Sequence, residues 1–159
     1  MYRESKIDYS GRTSDILLLK TVLKPVSDRI VTPDVSGTPM LTTGIEKLVQ
    51  RYGILFLTGL GSVRNSESEG TEFIESLGKG RIYDENTLKA AALMANKAVI
   101  RQIQQEDAVL ETPDDEYLDD AEITELSIDR STSTVTVKVE ITARSGRKFV
   151  YITPISTGV

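Results

Sequence analysis

Thr134-Val135-Thr136-Val137-Lys138-Val139-Glu140-Ile141-Thr142 alternates polar and apolar residues without a break. Successive side chains of an extended chain point to opposite faces. This period of two therefore predicts a strand with Val135, Val137, Val139 and Ile141 on one face and the polar residues on the other. Arg144-Ser145-Gly146-Arg147 supplies a turn, and residues 148–153 return as a partner strand. Upstream, residues 122–128 read as a third strand, and the slip of its apolar phase between Ile123 and Leu126 predicts a bulge. A meander of this kind needs a cover for its apolar face, and the preceding sequence provides helices. The fold class expected is α+β, with helices packed on a C-terminal antiparallel β-meander.

The clearest helix runs from about Asp84 or Asn86 to Gln105. Leu88, Ala91, Ala92, Ala95, Val99 and Ile103 form its stripe, and the alanines predict close packing against another element. An earlier helix is expected from Thr43, whose spacing to Glu46 matches a capping box. Its buried stripe is Ile45, Leu48, Val49, Tyr52, Leu55 and Phe56, and Gly59 and Gly61 end it. Gly53 inside this helix costs about 1 kcal/mol relative to Ala, so a close approach by a neighbour is expected there. Residues 62–70 form a polar loop. Thr71 then caps a short helix that buries Phe73, Ile74 and Leu77 and stops at Gly78 and Gly80.

Towards the N-terminus the pattern weakens. Residues 28–42 read as a small hairpin, with Arg29-Ile30-Val31-Thr32 facing Met40-Leu41-Thr42 across the turn formers Pro33-Asp34-Val35-Ser36-Gly37. Residues 15–23 are continuously apolar enough for a short helix or a strand buried on both faces. We favour a helix capped at Ser14 or Asp15. Residues 1–13 are polar and read as a flexible arm. The organisation expected is an N-terminal arm over 1–27 and one α+β domain over 28–159.

Composition narrows the chemistry. The 159 residues contain no Cys and no His, which excludes disulfides, thiolate nucleophiles, imidazole bases and His/Cys metal sites. A hydrophobic share of 39% is low for a globule and favours parts that are ordered by partners. No run reaches the roughly 18 apolar residues that span a bilayer, so no membrane association is expected. The net charge of −5 hides an asymmetry, because residues 106–125 hold ten acids and no Lys or Arg. The remainder carries fourteen acids against nineteen bases. No basic patch is interleaved with aromatics, so nucleic-acid binding is not expected. The acidic run reads as a solvated connector for most of its members, with docking to a complementary surface as the alternative.

A glycoside hydrolase needs two carboxylates at a fixed separation. Glu67, Glu69, Glu106 and Asp107 are candidates, but no motif sets such a pair. Asp114-Asp115-Glu116 with Asp119-Asp120 lacks the alternating order and the glycine of a calcium loop. Gly59-Leu60-Gly61-Ser62 follows a helix, whereas phosphate loops precede one. No catalytic residue, cofactor or metal is expected. The last strand, Phe149-Val150-Tyr151-Ile152-Thr153-Pro154-Ile155, is apolar on both faces. It is either a sheet edge awaiting a strand from another chain or a strand enclosed within this domain.

The order of elements carries a resemblance. Gly44-Ile45-Glu46-Lys47-Leu48-Val49-Gln50, then Leu57-Thr58-x-x-Gly61, then Gly70-Thr71, then the long helix over 88–105, is similar to the baseplate wedge and sheath-initiator family of contractile phage tails, often labelled lysozyme-like. The likeness spans roughly residues 28–155. Where members carry an aromatic-Glu-Pro-Arg signature, this chain has Gln105-Glu106-Asp107-Ala108 and keeps only the glutamate. The resemblance implies a non-catalytic virion structural protein, assembled in the host cytoplasm and set in the tail baseplate in multiple copies around the axis. Its implied partners are the sheath protein, other wedge subunits and the tail tube. It would template the first sheath ring by strand pairing. Carried onto this chain, the pairing edge would be Phe149, Val150, Tyr151, Ile152, Thr153 and Ile155, and the arm would use Ile16, Leu17, Leu18 and Leu19. Gly44, Gln50, Thr58, Gly61, Gly70 and Glu106 would hold the structure of the motif. The alternatives are a carboxylate-dependent cell-wall glycoside hydrolase of the tail and a generic adaptor using the acidic run.

Overall fold

The computed structural model describes Arg12 and residues 15–16, 19–23, 29–33, 41–64 and 66–157. The expected meander is present as β5 (Leu118–Asp129), β6 (Thr134–Ala143) and β7 (Lys148–Ser156), all antiparallel. Val135, Val137, Val139 and Ile141 are buried along one face of β6, as the alternation requires. The β5–β6 register shifts between Ile123 and Glu125, so a bulge falls where the apolar phase slips. β5 also begins earlier than expected, inside the acidic run.

Three helices cover this face. α1 (Ile45–Leu57) packs on β6 and β7, α2 (Phe73–Gly78) sits beside α1 and α3, and α3 (Glu85–Val109) lies against β5. Asp84 caps α3, accepting from the Thr87 backbone at 2.7 Å while Thr87 Oγ1 accepts from the Asp84 N–H at 3.2 Å. Leu88, Ala92, Ala95, Val99 and Ile103 of α3 join Leu48, Val49, Tyr52, Leu55 and Phe56 of α1 in one core with the meander. The expected approach to Gly53 is made by Tyr151: a Cβ there would sit 2.8 Å from the tyrosine hydroxyl. The chain is an α+β protein.

The N-terminal strands are arranged differently from expectation. The described residues of 15–23 are strands and not the expected helix: β1 (Asp15–Ile16) and β2 (Leu19–Leu23). Residues 29–33 and 41–42 do not form a hairpin with each other. β3 (Arg29–Pro33) pairs with β2, and β4 (Leu41–Thr42) pairs with β1. β3 also lies parallel to β7 at Ile30 and Ile152, giving the order β2-β3-β7-β6-β5. Thus β2, read as part of the arm, belongs to the main sheet. Residues 1–11, Ser14, Leu17, Leu18 and residues 34–40, on which parts of the expected arm, helix cap and hairpin fall, lie outside the described residues.

Candidate functional site

The residues singled out around α1 come together as a scaffold. Gly44 precedes the helix at φ 66°, in the left-handed region that glycine adopts without a Cβ penalty. The expected Thr43–Glu46 capping box is not formed. The Gly44 N–H instead donates to Glu116 Oε1 at 2.9 Å, so a residue 72 positions away caps the helix. Gln50 is 2% exposed. At the other end Thr58 donates its hydroxyl to the Ile54 carbonyl at 2.7 Å and accepts from the Thr71 N–H at 2.8 Å. Gly61 donates to the Glu69 carbonyl at 3.2 Å.

Gly70 is the tightest point of this scaffold. Its φ is 97°, and a Cβ would lie 2.6 Å from the Thr58 carbonyl oxygen. The Gln102 side chain clasps it from α3: Oε1 accepts from the Gly70 N–H at 3.0 Å, and Nε2 donates to its carbonyl at 2.8 Å. One amide therefore satisfies both backbone groups of a loop residue that has no ladder partner there. Thr71 closes the arrangement, donating to the Phe56 carbonyl at 2.9 Å and accepting from the Phe73 N–H at 3.3 Å.

Glu106 belongs to a charged seam between α1 and the α3–β5 connection. Arg51 donates to Asp107 Oδ1 at 2.7 Å and to Glu106 Oε2 at 2.9 Å. Asp107 also accepts from Thr112 Oγ1 at 3.1 Å and from the Leu118 N–H at 3.1 Å. Lys47 pairs with Glu116 at 3.0 Å, and Arg12 pairs with Asp115. Asp107, Asp115 and Glu116 are buried, so the solvated-connector expectation is corrected for these three acids. Burying carboxylates is tolerated here because each is held by a cation or a backbone donor. The sequence reading missed Lys47 and Arg51 as their partners. The signal was present: two bases four apart on one helix, and a run of acids elsewhere with no base of its own.

The last strand is not a free edge. β7 pairs with β6 on one side and with β3 at Ile152 on the other. Phe149, Tyr151 and Thr153 face the core and are buried, while Val150, Ile152 and Ile155 are half-buried. Burial raises the Tyr151 hydroxyl above its ordinary pKa, against a smaller opposing pull from Thr153. Of the two possibilities for residues 149–155, enclosure within the domain is the one realised. The terminal strands of the sheet are β2 and β5.

β5 is covered over only part of its length. Asn96, itself accepting from Tyr52 Oη at 2.6 Å, donates from Nδ2 to the Ala121 carbonyl at 2.8 Å. Gln104 Nε2 donates to the Asp119 carbonyl at 3.1 Å. Both side chains come from α3, so the helix supplies donors to the Leu118, Asp119 and Ala121 carbonyls at the start of β5. Beyond them α3 and β5 enclose a groove of about 260 Å³, lined by Leu88, Lys89, Leu93, Ile123, Glu125 and Leu126 among others.

Two further grooves flank α3. One of about 430 Å³ lies between α2, α3 and the 60–72 loop, with Phe73, Ala91 and Ala95 within it and Arg81 and Arg101 at its rim. Another, of about 410 Å³, contains both Glu69 and Glu106. Of the carboxylates weighed for hydrolysis, these two share a groove, whereas Asp107 is locked in the seam and Glu67 lines none of the grooves described here. Among the described residues no group of three or more Asp or Glu has the arrangement to hold a metal ion. No helix among them is long and apolar enough to cross a membrane. No family model, curated protein or solved structure matches this chain.

Proposed function

We propose that this chain is a non-catalytic structural subunit of a contractile tail baseplate, present in multiple copies around the tail axis, that templates sheath assembly by pairing strands with the first sheath ring. The observation that carries this reading is the sheet order. A C-terminal meander has accepted an N-terminal strand pair beside β7, with β3 parallel to it, and among the described residues no strand lies beyond β2 or β5. A sheet built in this way is suited to taking further strands, because main-chain hydrogen bonds supply affinity whatever the incoming sequence. The motif order over 44–71 supports the same reading. Its glycines and Thr58 tie α1, the loop and α3 into a fixed support behind the sheet. The sheath protein, other wedge subunits and the tail tube are the partners, and the virion tail is the location.

The test mixes the protein with the sheath subunit encoded beside it and with tube–baseplate seeds, followed by electron microscopy. Ordered sheath growing from the seeds only when this chain is present is the expected result. Equal growth without it would remove the initiator role. A second reading, a cell-wall glycoside hydrolase, draws on Glu69 and Glu106 lining one groove. It requires clearing of cell-wall suspensions that Glu69→Gln and Glu106→Gln abolish.

A further inference from the structure

We propose that the open part of β5, residues 122–129, binds an extended segment of another polypeptide as a sixth strand, and that this segment carries Lys or Arg at alternate positions with apolar residues between them. The inference rests on the strand-pairing reading and names the edge and the chemistry of the partner. Among the described residues no strand lies beyond β5. Ala121 turns its carbonyl outward to Asn96 and stands opposite Ile141. In an antiparallel ladder the outward groups belong to alternate pairs. The residues opposite Val139, Val137 and Val135 therefore present their N–H and C=O outward as well. These are Ile123, Leu126 and Ile128. For the Ala121 carbonyl the helix answers; Ile123 and Leu126 line the groove between α3 and β5, and Ile128 follows beyond it on the same strand.

The walls of that groove specify the occupant. Leu93 of α3, 40% exposed, and the half-buried Ile123 and Leu126 of β5 form its apolar lining over the buried Leu88, with Glu85 and Lys89 as the charged residues from α3. A strand laid along β5 would turn every second side chain onto these apolar residues. Its alternate side chains would meet the solvent face of the sheet beside Glu122, Glu125 and Asp129. β5 contains five acids and no base, and it is the acid-rich end of the sheet. The same charges and the bulge disfavour pairing with a second copy of β5, which would set acid against acid. A cationic strand is the complement that turns this repulsion into attraction.

The probe is a nine-residue peptide alternating Val and Lys, added to the isotopically labelled full chain and followed by amide NMR. Shifts concentrated at Ile123, Leu126 and Ile128 are expected. Affinity should fall at least tenfold when the peptide's outward-bonding nitrogens are methylated, and at least tenfold in Glu122→Lys/Glu125→Lys, whose fold is checked by circular dichroism. Absence of shifts at these amides, shifts confined to β2, or equal binding of a Val–Glu peptide would each overturn the proposal. Sheath assembly separates the two readings. If the charge-reversed variant loses the peptide but still seeds sheath, the β5 route falls and the initiator role stands. If the wild-type chain binds the peptide but never seeds sheath, the initiator role falls and the edge stands.

Discussion

α1 meets the rest of the molecule through two junctions carried by adjacent residues. On one, Tyr52 stacks with Phe56 at 5.9 Å and meets Tyr151 edge-on at 6.2 Å, while Phe56 tilts against Phe73 at 4.9 Å. On the other, Lys47 and Arg51 reach into the acids at 106, 107 and 116. The aromatic junction is graded, since each ring contributes area and a lost ring leaves a void. The ionic junction is conditional: a buried carboxylate is tolerated only while its donors are in place. This difference divides the acidic run. Asp107 and Glu116, held by α1, are buried and structural, whereas the acids of β5 are exposed, with Glu125 within 4.0 Å of Lys138.

The comparison can be broken at its strongest point first. Phe56→Ala should lose about 4 kcal/mol in urea unfolding, as expected for a fully buried ring; a loss under about 1 kcal/mol would mean that the rings do not cement α1. Asp107→Ala should cost about 3 kcal/mol by leaving the buried Leu118 N–H without its acceptor and Arg51 with only Glu106 and the Ile103 carbonyl. Combined with Arg51→Ala, the two losses should be less than additive. Strict additivity would show that the seam is a set of unrelated contacts.

Gly53→Ala tests how closely the aromatic side is packed. A methyl group gains about 1 kcal/mol of helix propensity, but it meets the Tyr151 hydroxyl at 2.8 Å, and a net loss of about 1–2 kcal/mol is expected. A stabilised variant would show that Tyr151 yields freely.

Tyr52→Phe sharpens the contrast through pH. Burial, and secondarily the neighbouring Tyr151, hold the Tyr52 pKa well above its ordinary 10. The folded state therefore binds this proton more tightly than the unfolded state. Its stabilisation is fully present below pH 10 and is lost as the pH rises above that value. The variant should lose about 1 kcal/mol at neutral pH with its hydrogen bond to Asn96. It should also lose stability less steeply above about pH 10. Parallel pH profiles for the two proteins would argue against Tyr52 as the source of alkaline lability. The smallest effect should come from Glu106→Gln, below about 0.5 kcal/mol, because this carboxylate is half-exposed and Arg51 keeps Asp107. A loss matching that of Asp107→Ala would erase the distinction between surface and buried members of the seam.

Legibility along the chain follows the range of the forces involved. The β6 alternation, the bulge near Ile123, the start of α3 near Asp84 and the crowding at Gly53 were readable, because each depends on residues a few positions apart or on a local cost that needs a cause. The capping of α1 was misread, since Thr43 and Glu46 have the right spacing but a distant glutamate reached the Gly44 N–H. The N-terminal strands were misread for a related reason. An apolar run such as 15–23 serves a helix or an enclosed strand equally well, and only its neighbours decide. The site followed suit: the apolar character of Phe149 and Tyr151 was plain, but their position inside the sheet depended on β3.

The amino-acid sequence by itself determined the helical and extended periods, the α+β class, the absence of thiol and imidazole chemistry, and the concentration of acid between residues 106 and 125. Tertiary structure alone decided which acids are buried, which strand is enclosed and which strand stands at the edge. Periodicity is a property of neighbouring residues along the chain. Pairing of β3 with β7, and of α1 with the acids of 106–116, is a choice among distant partners that becomes definite only when the whole sheet and its helices compete for the same space.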